Sequence, residues 1–296
     1  MPADETILVQ ALAEIERLRM HRQQERVHHR YAAWKRFTQQ ELNDEVYPTY
    51  KNLLVGRSRR VPDRQAMLNI AEYLECSSSE RNDLLLATGY LPVQTALSPA
   101  KLEQAVEQAR HTMMALPYPA MIVTHTEDIR GYNEYCRQLF HFPQRAVDGS
   151  WMNRVDLHFN PDLPVRTRST FDQASLEQWE AHAVRGIRAF KQKHMLSRHD
   201  GWYQDVVKRF GQYDLAGGHL EQAAACEDDS LELTQTILAK SERTGEWTSI
   251  QFKQFSISTG GQMHPQIQVF LPVDKAAHQI FEELGCSVNC GLVEGL

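Results

Sequence analysis

Cysteine is scarce in this 296-residue chain: there are five, Cys76, Cys136, Cys226, Cys286 and Cys290, an odd and scattered set. A disulfide-stapled secreted domain carries a dense framework, so these read as free thiols, buried or at the surface. The one close pair, Cys286 with Cys290, lacks two further ligands at metal-site spacing, and no metal is expected. Long apolar runs are missing too. No stretch reaches the roughly 18 apolar residues of a membrane-spanning helix. The opening MPADETILVQALAEIERLR is acidic where a signal peptide has positive charge and then an apolar core. The expectation is a soluble, cytoplasmic protein with no membrane partner.

Catalytic signatures are absent as well. There is no Gly-x-Ser-x-Gly elbow, no phosphate-cradling Gly-rich loop and no His-Glu-x-x-His. The 13 histidines scatter along the chain. Adjacent His28 and His29 diverge by about 100° on a helix, and Asp228-Asp229 before an apolar segment suits a helix N-terminus better than a metal. The chain is expected not to be an enzyme and to need no cofactor.

Positive charge is in deficit overall, at −6, which argues against a protein that coats nucleic acid generally. Its distribution is uneven. Residues 17–64 hold 12 Lys/Arg against five Asp/Glu, a net of +7, while residues 1–16 contribute −4 and residues 65–296 contribute −9. Positive charge confined to one stretch is the footprint of a local polyanion contact.

A chain of this length exceeds one small core, so two domains are expected. The first 40 residues read as helix, with Leu8, Leu12, Ile15 and Leu18 forming one apolar stripe that can dock on this chain or on a second copy. TQQELNDEV opens on Thr38 with Glu41 three residues on, a capping box. Tyr47-Pro48 breaks that helix, PTYKNLLVG restarts one, and Gly56 ends it, which is the shape of a helix-turn-helix. Beyond the arginine-rich loop GRSRRVPDR, Met67, Ile70 and Leu74 mark one helix face and SSSERNDLLLATGY a further capped helix.

LPVQTALSP reads as a linker, and Leu102, Val106, Ala109, Met113 and Leu116 as a connector helix. PAMIVTHT reads as a strand, EDIRGYN as a turn and strand, and EYCRQLFHF as a short helix. Residues 172–240 are helical in pattern. Ile250 and Phe252, then Phe255 and Ile257, alternate with a one-residue slip that suggests a bulge. Ile267 to Val273 alternate cleanly after a Gly260-Gly261 hairpin, and Asp274 caps a final helix.

The run from Thr38 to Tyr90 resembles an XRE/Cro-type DNA-binding domain. After Gly56 the arginine-rich loop, the proline, the Leu-rich helix and the Ser-x-x-Glu-Arg helix resemble the MmyB-like transcription regulators. Val46 stands where such domains usually have Gly, and Leu54 where an acidic residue usually precedes the glycine by two. The strand and Tyr-Asn after Pro119 resemble the start of a PAS-type sensor, and MNRVDLHFNPDL resembles the next motif of the MmyB-like ligand-binding half.

The resemblance implies α plus α/β architecture. An all-helical helix-turn-helix DNA-binding domain (1–92) would be followed by a linker and connector helix (93–116) and a PAS-like mixed α/β domain (117–296). The implied function is a one-component, sequence-specific DNA-binding transcription regulator whose PAS-like domain binds a small apolar effector of fatty-acid type. It would act on double-stranded DNA and form a homodimer. Thr49, Tyr50, Lys51 and Asn52 are the candidate base readers, Thr38 and Gln39 sit at a helix N-terminus that can face a phosphate, and Arg57, Arg59 and Arg60 grip the backbone. Candidate ligand-binding residues are Tyr132, Phe140, Met152, Val155, Phe159, Trp179, Ile187, Phe190, Phe252, Phe255 and Val269. The alternative is a protein-protein interaction module that dimerises through the PAS-like domain without specific DNA binding.

Overall fold

The computed structural model describes residues 3–27, 35–93, 97–142, 152–213, 218, 234–259 and 264–286. The chain divides into two compact units, residues 1–95 with 195–201, and residues 96–194 with 202–296.

The described part of the first unit is helical: α1 (Ala3–Val27), α2 (Gln39–Glu41) continued by a π-helical turn (Leu42–Val46), α3 (Tyr50–Leu54), α4 (Arg64–Tyr73) and α5 (Ser78–Ala87). Of the helix expected over the first 40 residues, Ala3–Val27 is helical and residues 28–34 lie outside the described residues; residues 35–38 are not helical, and Phe37 takes a left-handed φ of 52°. Capping chemistry sets the later starts. Thr38 with Glu41 and Ser77 with Glu80 form capping boxes, and the Asp63 carboxylate accepts from the Ala66 N–H at 2.8 Å. Gly56 closes α3 at φ 73°, a conformation that costs glycine nothing.

Ile15 and Leu18 of α1 are fully buried, packed in one core with Leu42, Tyr50, Met67, Ile70, Leu74, Leu84 and Leu85. The α1 stripe is therefore satisfied within its own chain. Burying such a side chain contributes about 1.5–3 kcal/mol, which holds a helix whose other faces are mostly polar, with Val9 and Met20 exposed.

Residues 195–201 complete this unit. The Asp200 carboxylate accepts from the Ser78 N–H and from Ser78 Oγ, both at 2.6 Å, and the buried Arg81 guanidinium donates to the Leu196 carbonyl. Ser78 is the first residue of α5, so Asp200 supplies an acceptor and a negative charge where a helix N-terminus is short of both.

The second unit starts with α6 (Pro99–Met114), so the connector helix is part of its fold. Then come β1 (Ala120–Val123), β2 (Ile129–Tyr132), α7 (Glu134–Phe140), α8 (Arg154–Phe159), α9 (Pro164–Arg168), α10 (Gln173–Lys193) and α11 (Gly201–Tyr213). β3 (Thr234–Lys240), β4 (Trp247–Ser258), β5 (Gln266–Pro272) and α12 (Lys275–Glu283) follow. The strands form one sheet in the order β2-β1-β5-β4-β3, with every neighbouring pair antiparallel.

Two expectations are corrected. Residues 172–240 are not helical throughout, because Thr234–Lys240 pairs along β4 from Thr234↔Lys253 to Lys240↔Trp247. β4 carries no bulge, since its register with β5 steps evenly from Phe252↔Pro272 to Ser258↔Gln266. Side chains alternate strictly along an unbroken strand, so Phe252 and Phe255, three residues apart, face opposite sides. Phe252 is buried with Phe140, Ile237, Ile250 and Phe270, whereas Phe255 is 50% exposed.

The opposite face of the sheet is partly closed by α6, with Ala109 and Met113 against Ala120, Ile122, Ile267 and Val269. The Phe252 face is covered by α7, α8 and α12, and a separate cluster joins α8, α10 and α11 through Val155, Phe159, Trp179, Ile187 and Phe210.

Candidate functional site

Each unit carries one candidate site. In the first, much of the local positive charge is spent internally. Arg17 pairs with Glu14, Arg19 with Glu16, Arg22 with Glu25 and Glu80, and Lys35 with Glu75. Among the described residues no carboxylate pairs with Lys51, Arg57 or Arg60, which are exposed, as are Arg59, Thr49 and Asn52. The Arg57 and Ser58 N–H groups both donate to the Asn52 carbonyl, at 2.8 and 3.0 Å, so the arginine loop folds directly back on the end of α3. Lys51 Nζ donates to Gln40 Oε1, which draws the exposed sides of α2 and α3 together.

Three candidate DNA contacts, the reader Tyr50 and the phosphate-facing Thr38 and Gln39, are engaged within the protein instead. Tyr50 is fully buried and its hydroxyl donates to Glu16 at 2.5 Å; burial and that bond push its phenol well above the usual value. A tyrosine locked into the core has no edge left for a base. Thr38 Oγ1 accepts from the Glu41 N–H, while the Glu41 carboxylate accepts from the Thr38 and Arg36 N–H groups. A carboxylate therefore occupies the helix N-terminus at which a phosphate was expected, and the Gln39 side chain turns to Glu16 at 2.9 Å. Burial acts to raise the Glu16 pKa, but hydrogen bonds from Arg19, Tyr50 and Gln39 prevail and hold it below its ordinary value.

In the second unit a cavity of about 110 Å³ lies among β1, β3, β4, β5, α7, α8, α9, α10 and α11. Of the expected ligand residues, Phe140, Val155, Phe159 and Ile187 line it. Trp179 lines an adjoining void of about 20 Å³ instead. Tyr132, Met152 and Phe252 belong to the core on the cavity side of the sheet, and Phe190 to the helical cluster, without reaching the cavity. Phe255 and Val269 are corrected outright: both lie on the far face of the sheet, Val269 beneath α6.

Sequence reasoning missed the cavity's polar wall, made by Glu127, Arg154, His158, His182, Gln235 and Gln254. Glu127 is buried with φ of 63°, and its carboxylate accepts from Arg154 Nε at 2.5 Å, tying the β1–β2 turn to the start of α8. Gln235 Nε2 lies 3.1 Å from His182 Nε2 and 3.3 Å from Gln254 Oε1; Gln254 in turn donates to Gln268 at 2.5 Å. These glutamines stand on inward sheet positions where aliphatic residues are usual, and they hydrogen-bond across three strands.

His158 Nε2 and His182 Nδ1 are closed off from solvent and have no hydrogen-bond partner. Buried polar atoms are rarely left so, because each costs about 1–3 kcal/mol. Burial first, then the positive charge of neighbours including Arg154, pushes His158 well below its usual pKa and His182 down to about 4. His158 also stacks on Trp179, with ring centroids 5.2 Å apart, and the Arg166 guanidinium lies 3.6 Å from the same indole. The sequence signal was the motif MNRVDLHFNPDL, which contains Arg154 and His158; His182, 24 residues on, meets them only through the tertiary fold.

No helix among the described residues is long and apolar enough to cross a membrane, and no group of three or more His, Cys, Asp or Glu among them is arranged to hold a metal. A scan of protein-family models finds none that matches the chain, and no curated protein matches it.

Proposed function

We propose that this chain is a one-component, sequence-specific DNA-binding transcription regulator, with a helix-turn-helix in its first unit and a PAS-like, effector-binding second unit. One observation carries the reading: Lys51 and Asn52 are exposed on α3 immediately beside the exposed Arg57, Arg59 and Arg60, in a chain whose remaining charge is negative. Arginines of this kind neutralise phosphates and set register, while Asn and Lys in the major groove discriminate base edges by about 1–3 kcal/mol per good contact.

The mixed apolar and polar cavity supports an amphiphilic effector of fatty-acid type, and a pocket of this kind is the usual place for a small ligand. A route for the signal lies in residues 195–201. They belong to the first unit, while α10 and α11 on either side supply His182, Ile187 and Phe210 to the cavity. A ligand that favours one arrangement of α10 and α11 thereby biases the hold of Asp200 on α5, as differential affinity for two states requires.

Selection of source-genome fragments by the purified protein tests the reading, with and without saturated C8 to C16 acids present. A discrete enriched site is expected, with Lys51→Ala or Asn52→Ala each weakening it about tenfold or more. No enrichment in either condition would favour the protein-protein interaction module.

A further inference from the structure

Four polar side chains between α2 and α3 close into a hydrogen-bonded ring. Gln40 Nε2 donates to Asp44 Oδ2, and Gln40 Oε1 accepts from Lys51 Nζ. The Lys51 N–H donates to Asn43 Oδ1 at 3.2 Å, and Asn43 Nδ2 donates to Asp44 Oδ1 at 3.0 Å. The partners fix both amide orientations. An ammonium or a backbone N–H can only donate and an ionised carboxylate can only accept, so each amide turns its oxygen to Lys51 and its nitrogen to Asp44. On the reading that α3 meets DNA, we infer that this ring aims the Lys51 ammonium at one guanine of the bound site, with Gln40, Asn43 and Asp44 as positioning residues.

The donor count decides the base. Lys51 Nζ has three N–H groups; Gln40 takes one, and two are left. In the major groove guanine alone offers two adjacent acceptors, N7 and O6. Adenine sets an amino donor beside its N7, thymine offers O4 alone, and cytosine offers only a donor.

Charge decides for a base over a phosphate. Hydrogen bonds from Asn43 and Gln40, then the charge of Lys51, hold the Asp44 carboxyl below its ordinary pKa, so it is ionised at pH 7. Asp44 and Lys51 then cancel, since the two amides between them carry no charge. A phosphate is drawn by net positive charge, which the exposed Arg57, Arg59 and Arg60 supply nearby. A neutral ring adds little to that attraction and keeps its two directed donors, which is what reading a base edge requires. Gln40, Asp44 and Lys51 are all exposed, and hydrogen bonds between exposed groups stabilise a fold little, so the ring can be broken without unfolding the unit.

The test is anisotropy titration of the full chain against the genomic fragment it enriches most, with each guanine replaced in turn by 7-deazaguanine, which lacks N7 and keeps its base pair. At least one replacement is expected to weaken binding by the unaltered protein about tenfold, and to cost Lys51→Ala nothing further. In Gln40→Ala the same replacement is expected to cost less than about threefold, with thermal melting and affinity for a shuffled fragment unchanged, a pattern that loss of a structural brace alone does not give. Asp44→Asn is expected to bind the shuffled fragment more tightly, with a salt slope steeper by about one, as the uncancelled Lys51 charge meets a phosphate. A bound fragment in which no guanine responds overturns the inference, and that result needs no variant to fold. A response that persists in Lys51→Ala gives the guanine to another residue, and an undiminished response in Gln40→Ala, or no gain in Asp44→Asn, removes the positioning role; each overturns the inference while the regulator reading stands. Failure to enrich any fragment removes that reading and the inference with it.

Discussion

Replacing Arg57, Arg59 and Arg60 together by alanine is expected to flatten the salt dependence of DNA binding by about three in the slope of log K against log [salt], close to one for each phosphate no longer neutralised. All three side chains are exposed, and none lies in the core that holds the first unit together. Folding should therefore be unaffected, and thermal melting of the variant should match that of the parent. Among the described residues no carboxylate pairs with Arg57 or Arg60, whereas other arginines in the same stretch are already used. Arg19 is buried against Glu16 and donates to the Phe37 carbonyl at 2.8 Å, and Arg22 is shared between Glu25, Glu80 and the Leu74 carbonyl. Arg17→Ala, which breaks only an exposed pair with Glu14, should leave the slope unchanged. Anisotropy titrations from about 50 to 200 mM salt read both outcomes.

Asp200→Ala is expected to cost the first unit about 3 kcal/mol, since it removes two short charge-assisted hydrogen bonds from Ser78 and leaves the buried Arg81 without its nearest negative charge. Arg81 has little to fall back on. Its remaining bonds go to Ser78 Oγ and the Leu196 carbonyl, its Nε has no partner, and burial already pushes its pKa below the usual value. Asp200→Asn, which keeps the shape and one acceptor, should cost less than the alanine variant. Urea denaturation of the full chain, followed by a probe in the first unit, distinguishes the two. If both variants match the parent, residues 195–201 do not brace α5, and the proposed route from cavity to α5 loses its physical basis.

Elements governed by local chemistry were legible in the sequence. Thr38 with Glu41, Ser77 before Glu80 and Asp274 before α12 each place a helix start where the caps lie, and Gly56 marks the end of α3 through its positive φ. The α1 stripe was legible as a stripe, but whether it met its own chain or another depended on Leu42, Met67 and Ile70, which no local pattern joins to it. Tyr50 reads as a base contact from its position in the motif; packing against distant residues such as Ile15 and Met67, with its hydroxyl bonded to Glu16 34 residues earlier, makes it a core residue. The strand Thr234–Lys240 was hidden because the expectation of helix ran on through it, although its Thr-x-Thr-Ile carries β-branched character.

The cavity was half legible for the same reason. Part of its apolar lining, Phe140, Val155, Phe159 and Ile187, was among the candidate ligand residues. Its polar wall joins one histidine from α8, another from α10 and glutamines from two strands, and each alone reads as a surface residue. The supposed bulge in β4 put Phe255 inside, and an unbroken register puts it outside.

Sequence-specific DNA binding is the central claim, and its most direct measure is a specificity ratio. The purified full chain would be titrated at about 150 mM salt against the genomic fragment it enriches most and against a shuffled fragment of the same length and composition, each with and without octanoate. The account predicts affinity for the selected fragment at least about a thousandfold above the shuffled one in one of the two conditions. A ratio near one in both would contradict it, leaving the arginine loop as a surface for an acidic protein partner.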